Sequence, residues 1–312
     1  MTTSSEAAAP LCFLVGATAS GKKAVALELA QRLPFELLSL DSVKVYRGMD
    51  RGSDKLAPAR FALTDLVEPT VRFSVGDYVR AASAAVTAIR ARGTLPLFVG
   101  GTGLYLRALV RGLFEVPAIE PAVRAAVAAR IERDGLAAAH AELARCDPES
   151  AARLHRNDRK RIVRALEVAA QTGDPLTAWQ QRATRRPIAG RAVLVGIDWP
   201  RAALRERITA RVERMFAGGL VDEVRALLEQ GWLGPVASLA IGYREVVDYL
   251  RGVGTLEECR QRIVTDTTTF VRRQANWFRQ FPEIRWVDAT AAGAALLDAV
   301  ASEFASALQR TD

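Results

Sequence analysis

The run Gly16-Ala17-Thr18-Ala19-Ser20-Gly21-Lys22 has the spacing G-x-x-x-x-G-K, which limits the fold more than any other stretch of the chain. Such a loop works when a strand delivers the chain into it and a helix carries the chain away. Backbone N–H groups and the positive helix end then converge on one anion. Both flanks fit that context. Leu11 to Val15 is a short apolar run, and from Lys22 to Gln31 the residues Val25, Leu27, Leu29 and Ala30 recur as on an amphipathic helix. The glycines let an oxyanion approach the backbone closely, and Lys22 adds a point charge, so phosphate binding is expected here. The following residue departs from the pattern. Lys23 stands where Ser or Thr would ligate Mg²⁺, and an ammonium has no lone pair to offer a metal. Two readings stay open: Lys23 neutralises phosphate directly or faces solvent, or catalysis at this loop is weakened.

Further apolar runs end in polar or glycine-rich turns: Leu37 to Leu40 before Asp41-Ser42, and Leu95 to Val99 before Gly100-Gly101-Thr102-Gly103. Helical patterns at Val75 to Arg92 and Leu104 to Val110 alternate with them, as in a parallel α/β sheet whose ligands sit at the strand carboxyl ends. Ala192 to Ile197 and Ile284 to Val287 read as later strands. Between them and the first three strands, from about Pro121 to Arg182, the pattern is helical and rich in Ala and Arg, with breaks near Asp147-Pro148, Asn157-Asp158 and Gly173-Asp174-Pro175. The expected fold is α/β, a P-loop NTPase-like parallel sheet core with an inserted all-helical lobe. Its parts are a core at 11–120 and 186–312, the insertion at 121–185 and a flexible tail at 1–10. Pro200 to Gln230 and Leu256 to Gln280 are expected as long helical stretches, the first punctuated by Gly218-Gly219.

Over 312 residues, Lys plus Arg number 43 against 35 for Asp plus Glu, a basic balance that suits a polyanionic partner. Cys12, Cys146 and Cys259 lie far apart, without metal or disulfide spacing, which suits a reducing cytoplasm. The first ten residues lack a secretory pattern, and charges interrupt every apolar stretch before the roughly 18 residues a membrane helix needs. No membrane partner is expected, and with no zipper pattern a monomer is. His140 and His155 fall in the helical lobe, away from the strand ends, and neither is assigned to catalysis.

Asp41 ends the second strand and would project into the crevice above the loop, where a carboxylate can take a proton from an attacking amine or serve a metal. The run Asp41-Ser42-Val43-Lys44-Val45-Tyr46-Arg47-Gly48-Met49-Asp50 resembles the D-S-x-Q-x-Y-[RK]-G-x-D segment of the tRNA dimethylallyltransferases. Val99 to Tyr105 agrees in order. So do Asn157-Asp158 with Arg161 and Arg164 to Glu167, and Ile241 to Glu245 with Arg273-Gln274 and Trp277-Phe278. The resemblance spans about Leu11 to Asp288. It implies transfer of a dimethylallyl group from dimethylallyl diphosphate to the exocyclic amine of the adenosine 3′ of the anticodon, in tRNAs reading codons that start with U. It also implies Mg²⁺ as cofactor, with nucleotide (ATP) binding left open.

By the same resemblance Asp41 is the general base and Thr102 a catalytic neighbour. Gly16, Ala17, Thr18, Ala19, Ser20, Gly21, Lys22 and Lys23 form the diphosphate loop, with Arg211 a further diphosphate contact. The anticodon stem-loop would meet Ser42, Val43, Lys44, Arg124, Lys160, Arg161, Arg164, Gly242, Tyr243, Arg244, Arg272 and Arg273. Departures cluster at substrate-handling positions. Lys44 replaces a Gln, Ser53-Asp54-Lys55-Leu56 stands where G-T-A-K-P is usual, Phe61 to Asp65 replaces H-H-L-I-D, and Thr268-Thr269 occupies an Arg pair. A catalytically impaired RNA-binding relative, an adenine-nucleotide prenyltransferase and, more weakly, a nucleotide kinase remain as alternatives.

Overall fold

A computed structural model describes residues 8–55, 60–114, 116–182, 186–290 and 293–309. Positions 1–7 of the expected tail, Leu56 and the insertion's end at 183–185 lie outside the described residues. The chain divides into two compact units, one holding the residues up to Val110 and from Pro187 onward, the other Arg111–Arg186.

The first unit is built on β1 (Leu11–Gly16), β2 (Phe35–Leu40), β3 (Leu95–Gly100), β4 (Ala192–Asp198) and β5 (Arg285–Asp288). They form one sheet in the order β2-β3-β1-β4-β5, with every pair parallel. A parallel sheet covered on both faces has near-continuous apolar strands, which is why these segments read as unbroken hydrophobic runs. In β1, Leu11, Phe13 and Val15 turn to one core, while Cys12 and Leu14 turn to the other, as the two-residue period of a strand demands.

α1 (Lys22–Arg32) and α12 (Ala294–Gln309) cover one face, with Val25 and Leu29 beside Val300 and Phe304. The other face receives α2 (Val75–Ala91), α3 (Gly103–Arg111), α8 (Arg201–Ala217), α9 (Leu220–Glu229), α10 (Tyr243–Leu250) and α11 (Leu256–Phe278). The helical stretch expected after Pro200 divides at its expected punctuation, Gly218-Gly219, into α8 and α9, with Gly219 at φ 89. α10 and α12 are additions to the sequence reading. α12 carried a usable signal, since Leu296, Leu297, Val300, Phe304 and Ala307 recur at helical spacing.

The second unit contains α4 (Pro121–Cys146), α5 (Pro148–Arg153), α6 (Arg159–Thr172) and α7 (Leu176–Gln181) around Ile131, Leu143, Ile162 and Leu166. It begins at Arg111, ahead of the boundary placed at Pro121, because Phe114, Val116 and Ile119 pack on this helical core. Asp147, buried between helices, holds three segments together. Its carboxylate accepts from the Ser150 N–H at 3.0 Å, the Thr177 N–H at 3.1 Å and the Thr177 hydroxyl at 2.8 Å.

Candidate active site

Three strand ends meet at the carboxyl edge of the sheet: Gly16 of β1, Leu40 of β2 and Gly100 of β3. The glycine loop leaves β1 with Ala19 at φ 66 and Gly21 at φ 88, both left-handed, so that α1 starts at Lys22. A non-glycine residue in that region costs of order 1 kcal/mol or more, a strain that persists only where the surroundings enforce it. Here Arg207 of α8 donates from Nε to the Ala19 carbonyl at 2.8 Å and stacks 4.3 Å above the Trp199 ring. Trp199 in turn donates from Nε1 to the Ser20 carbonyl at 2.8 Å.

The loop is also tied from α11. The side chain of Gln274, 4% exposed, accepts from the Thr18 N–H at 2.9 Å and donates from Nε2 to the Gly101 carbonyl at 3.0 Å. One amide therefore fixes the loop after β1 to the turn after β3. Gly101 has to be glycine for this, since a Cβ there would stand 2.1 Å from Gln274 Nε2. Gln274, Trp199 and Arg207 escaped the sequence reading as site residues. Gln274 lay inside a segment carrying the family resemblance, whereas Trp199 and Arg207 gave no local signal.

At the end of β2, Asp41 Oδ1 accepts the N–H groups of Val43 at 2.8 Å and Lys44 at 3.3 Å. Its Oδ2 accepts no hydrogen bond from the described residues. Thr102 lies across from it, its Oγ1 accepting the Ser42 N–H at 3.2 Å while its own N–H reaches the Leu40 carbonyl at 3.2 Å. Asp41 and the loop residues Thr18, Ala19, Gly21 and Lys22 line one cavity of about 360 Å³, together with Lys23, Lys44, Asp54 and Arg211. The structure thus brings together the expected base, the anion loop and Arg211.

The cavity carries a surplus of cations. Burial and the neighbouring Lys44 and Arg211 push the Lys22 ammonium down to about 7, against the pull of Asp41 and Asp54, and Lys22 Nζ donates to the Ala17 carbonyl at 2.8 Å. Lys44 is likewise lowered, chiefly by burial, then by Lys23 and Arg211. Burial works to raise the Asp54 carboxyl, but Arg211 and Lys23 outweigh it and hold Asp54 below its usual range. Lys23 neither faces solvent alone nor stands as a lone counter-charge, since its Nζ pairs with Asp54 Oδ2 at 3.0 Å. The donor set does not fit a divalent cation of the ordinary P-loop kind. The hydroxyl ligand is replaced by an ammonium, Asp54 is committed to Lys23 and Arg211, and the carboxylate left facing the cavity is Asp41, the expected base.

The residues expected to meet RNA separate into several environments. Ser42 is exposed, and Val43 and Lys44 half-buried, on the turn after β2. Arg272 and Arg273 are exposed on α11. Tyr243 requires a correction as an RNA contact. It is 0% exposed, its hydroxyl donates to Glu223 at 2.7 Å and its ring fills the space where Gly52 lacks a Cβ, so it braces the loop at Gly52 from inside. Gly242, also buried, caps α10 with φ 95, and Arg244 is paired with Glu245 and Asp266. In the helical unit Arg124, Lys160, Arg161 and Arg164 are exposed on α4 and α6. Arg164 feels the charge of Arg124, and Arg161 pairs with the helix-capping Asp158 at 3.2 Å. No described helix is long and apolar enough to cross a membrane.

A five-stranded parallel sheet in this order, with a lysine-bearing glycine loop at the end of its central strand, defines an α/β protein of the P-loop class. Within that class the chain matches the IPP transferase family across residues 44–281. It is 42% identical to a tRNA dimethylallyltransferase of Geobacter sulfurreducens over 89% of this chain and 91% of that protein. With a tRNA dimethylallyltransferase of Ralstonia nicotianae it shares 44% identity over 89% and 90%. The crystal structure of the tRNA isopentenylpyrophosphate transferase of Bacillus halodurans superposes with a TM-score of 0.71 at 34% identity, covering 96% of this chain and 97% of that one. The chain belongs to the IPP transferase family.

Proposed function

We propose that this chain transfers a dimethylallyl group from dimethylallyl diphosphate to the exocyclic amine of an adenosine in tRNA, the one 3′ of the anticodon in tRNAs reading codons that begin with U. The observation that carries this reading is the placement of Asp41 and the glycine loop on one cavity at the sheet's carboxyl edge. The loop N–H groups and Lys22 hold the diphosphate and stabilise it as it leaves. The amine nitrogen forms its bond to C1 of the dimethylallyl group while the C1–O bond to diphosphate breaks, and the electron pair departs with the diphosphate. Asp41, through Oδ2, takes the proton the amine must lose. The adenosine must leave its stack to reach this carboxylate, and exposed arginines and lysines are suited to hold the phosphates of an anticodon stem-loop.

Support also comes from the names of the relatives, which are tRNA dimethylallyltransferases. The test is transfer of label from dimethylallyl diphosphate to unmodified tRNA, with the Asp41→Ala variant alongside. Incorporation at the adenosine 3′ of the anticodon, abolished in Asp41→Ala, is the expected result. Preferential labelling of free AMP over tRNA, or no incorporation at all, would overturn the reading.

A further inference from the structure

Three charged departures from the family pattern, at positions 23, 44 and 54, lie far apart in sequence yet line the same cavity. Two of them touch. A single oxygen of Asp54 accepts Lys23 Nζ at 3.0 Å and Arg211 Nη1 at 2.9 Å, and Lys23 Nζ also donates to the Asp54 carbonyl at 3.2 Å. Asp54 adopts φ 52, a left-handed conformation that Asp tolerates better than most residues. The usual pattern has a hydroxyl at position 23 and alanine at 54, a pair with no charge and one metal ligand. This chain has an ammonium at the metal-ligand position and a carboxylate that gathers that ammonium and a guanidinium onto one wall.

We infer that Lys23 and Arg211, held in place by Asp54, supply the positive charge that a divalent cation provides elsewhere, so that this site binds diphosphate without Mg²⁺. The inference rests on the diphosphate site of the proposed function. A bound Mg²⁺ neutralises phosphate oxygens through direct coordination, and it needs at least one protein oxygen or a clear face for its waters. Lys23 removes the hydroxyl ligand and repels the ion, and the free oxygen left on this cavity, Asp41 Oδ2, is the one the proposed reaction needs for the proton. The Lys23 ammonium instead donates to phosphate oxygens from the first turn of α1, beside Lys22. Asp54 is the positioning residue: it draws two cations together where they would otherwise repel each other and swing into solvent. Lys44 adds a third charge on the same cavity. A diphosphate entering this cavity meets fixed cations already desolvated in part, and the ion that usually accompanies it is redundant.

The test is calorimetric titration of the full-length chain with inorganic diphosphate, once with excess chelator and once with millimolar Mg²⁺, for the natural protein and the Lys23→Thr/Asp54→Ala double variant. Thermal melts of both proteins establish that the variant is folded. The natural protein is expected to bind equally well with chelator, or better, since Mg²⁺ only sequesters the ligand. The double variant should bind about tenfold or more weakly with chelator and recover with Mg²⁺. The inference is overturned if Mg²⁺ tightens binding to the natural protein about tenfold. It is also overturned if the double variant binds as well as the natural protein in chelator. Failure of the natural protein to bind diphosphate under either condition overturns the diphosphate site itself, and the inference with it.

Discussion

Filling the cavity with an alkyl diphosphate should draw protons from the buffer, and the amount follows from Lys22. In the ligand-free site its ammonium falls from the ordinary 10.5 to about 7, mainly through burial and then through Lys44 and Arg211. That fall favours the neutral amine by roughly 4 to 5 kcal/mol, an order-of-magnitude figure. At pH 8 such a group carries a proton in only about one molecule in ten. An alkyl diphosphate loses its last proton near pH 6, like other phosphate monoesters, so at pH 8 it arrives fully charged. Against that charge Lys22 regains its ordinary basicity, and binding takes up about 0.9 proton per ligand. Lys44, whose basicity is also depressed, can only add to this. Titrations with dimethylallyl diphosphate at pH 8, in buffers of different ionisation enthalpy, measure the number directly. At pH 6 the uptake by Lys22 should vanish, because the ammonium is already protonated. Heats independent of the buffer at pH 8 would refute the electrostatic account of the loop.

Other consequences concern stability and positioning. Because the folded Lys22 binds fewer protons than the unfolded one between about pH 7 and its ordinary 10.5, its penalty is full below pH 7 and relieved as pH rises. Lys22→Met should therefore raise the melting temperature at pH 7, by about 2 kcal/mol or more in stability, and the difference should shrink towards pH 10 while diphosphate binding is lost at both. Gln274→Ala leaves the Thr18 N–H and the Gly101 carbonyl without their partner, so urea titration should show a loss of about 2 to 4 kcal/mol. Asp147→Ala should destabilise the helical unit by about 3 kcal/mol. Burial works to raise the Asp147 carboxyl, but bonds from Ser150 and Thr177 hold it below its usual range. Its contribution is present above the unfolded value near 4 and lost as pH falls through the folded one, so circular dichroism at acid pH should show Asp147→Ala and the natural protein converging.

The legible part of this protein was whatever is local or periodic. The loop spacing, the apolar runs feeding it and Asp41 at a strand end announce themselves within a few residues, because phosphate binding by backbone N–H groups depends on local chain geometry. The α/β class followed from alternating runs, and the helical insertion from its composition. The partners that brace the site were not legible. Thr18 meets Gln274 from 256 positions away, and Trp199 meets the Ser20 carbonyl from 179. Tyr243 looked like a ring for RNA and became a buried brace, because nothing next to it in sequence reveals that Gly52 leaves room for it. Lys23 makes the same point from the opposite side. Its sequence showed that the metal ligand was gone, since that depends on residue type alone. Only the folded chain, by closing the distance to Asp54 and Arg211, decided that Lys23 shares one carboxylate oxygen with Arg211 on the cavity wall. Hydrogen bonds and ion pairs act over a few ångströms in space, and a sequence records separation along the chain.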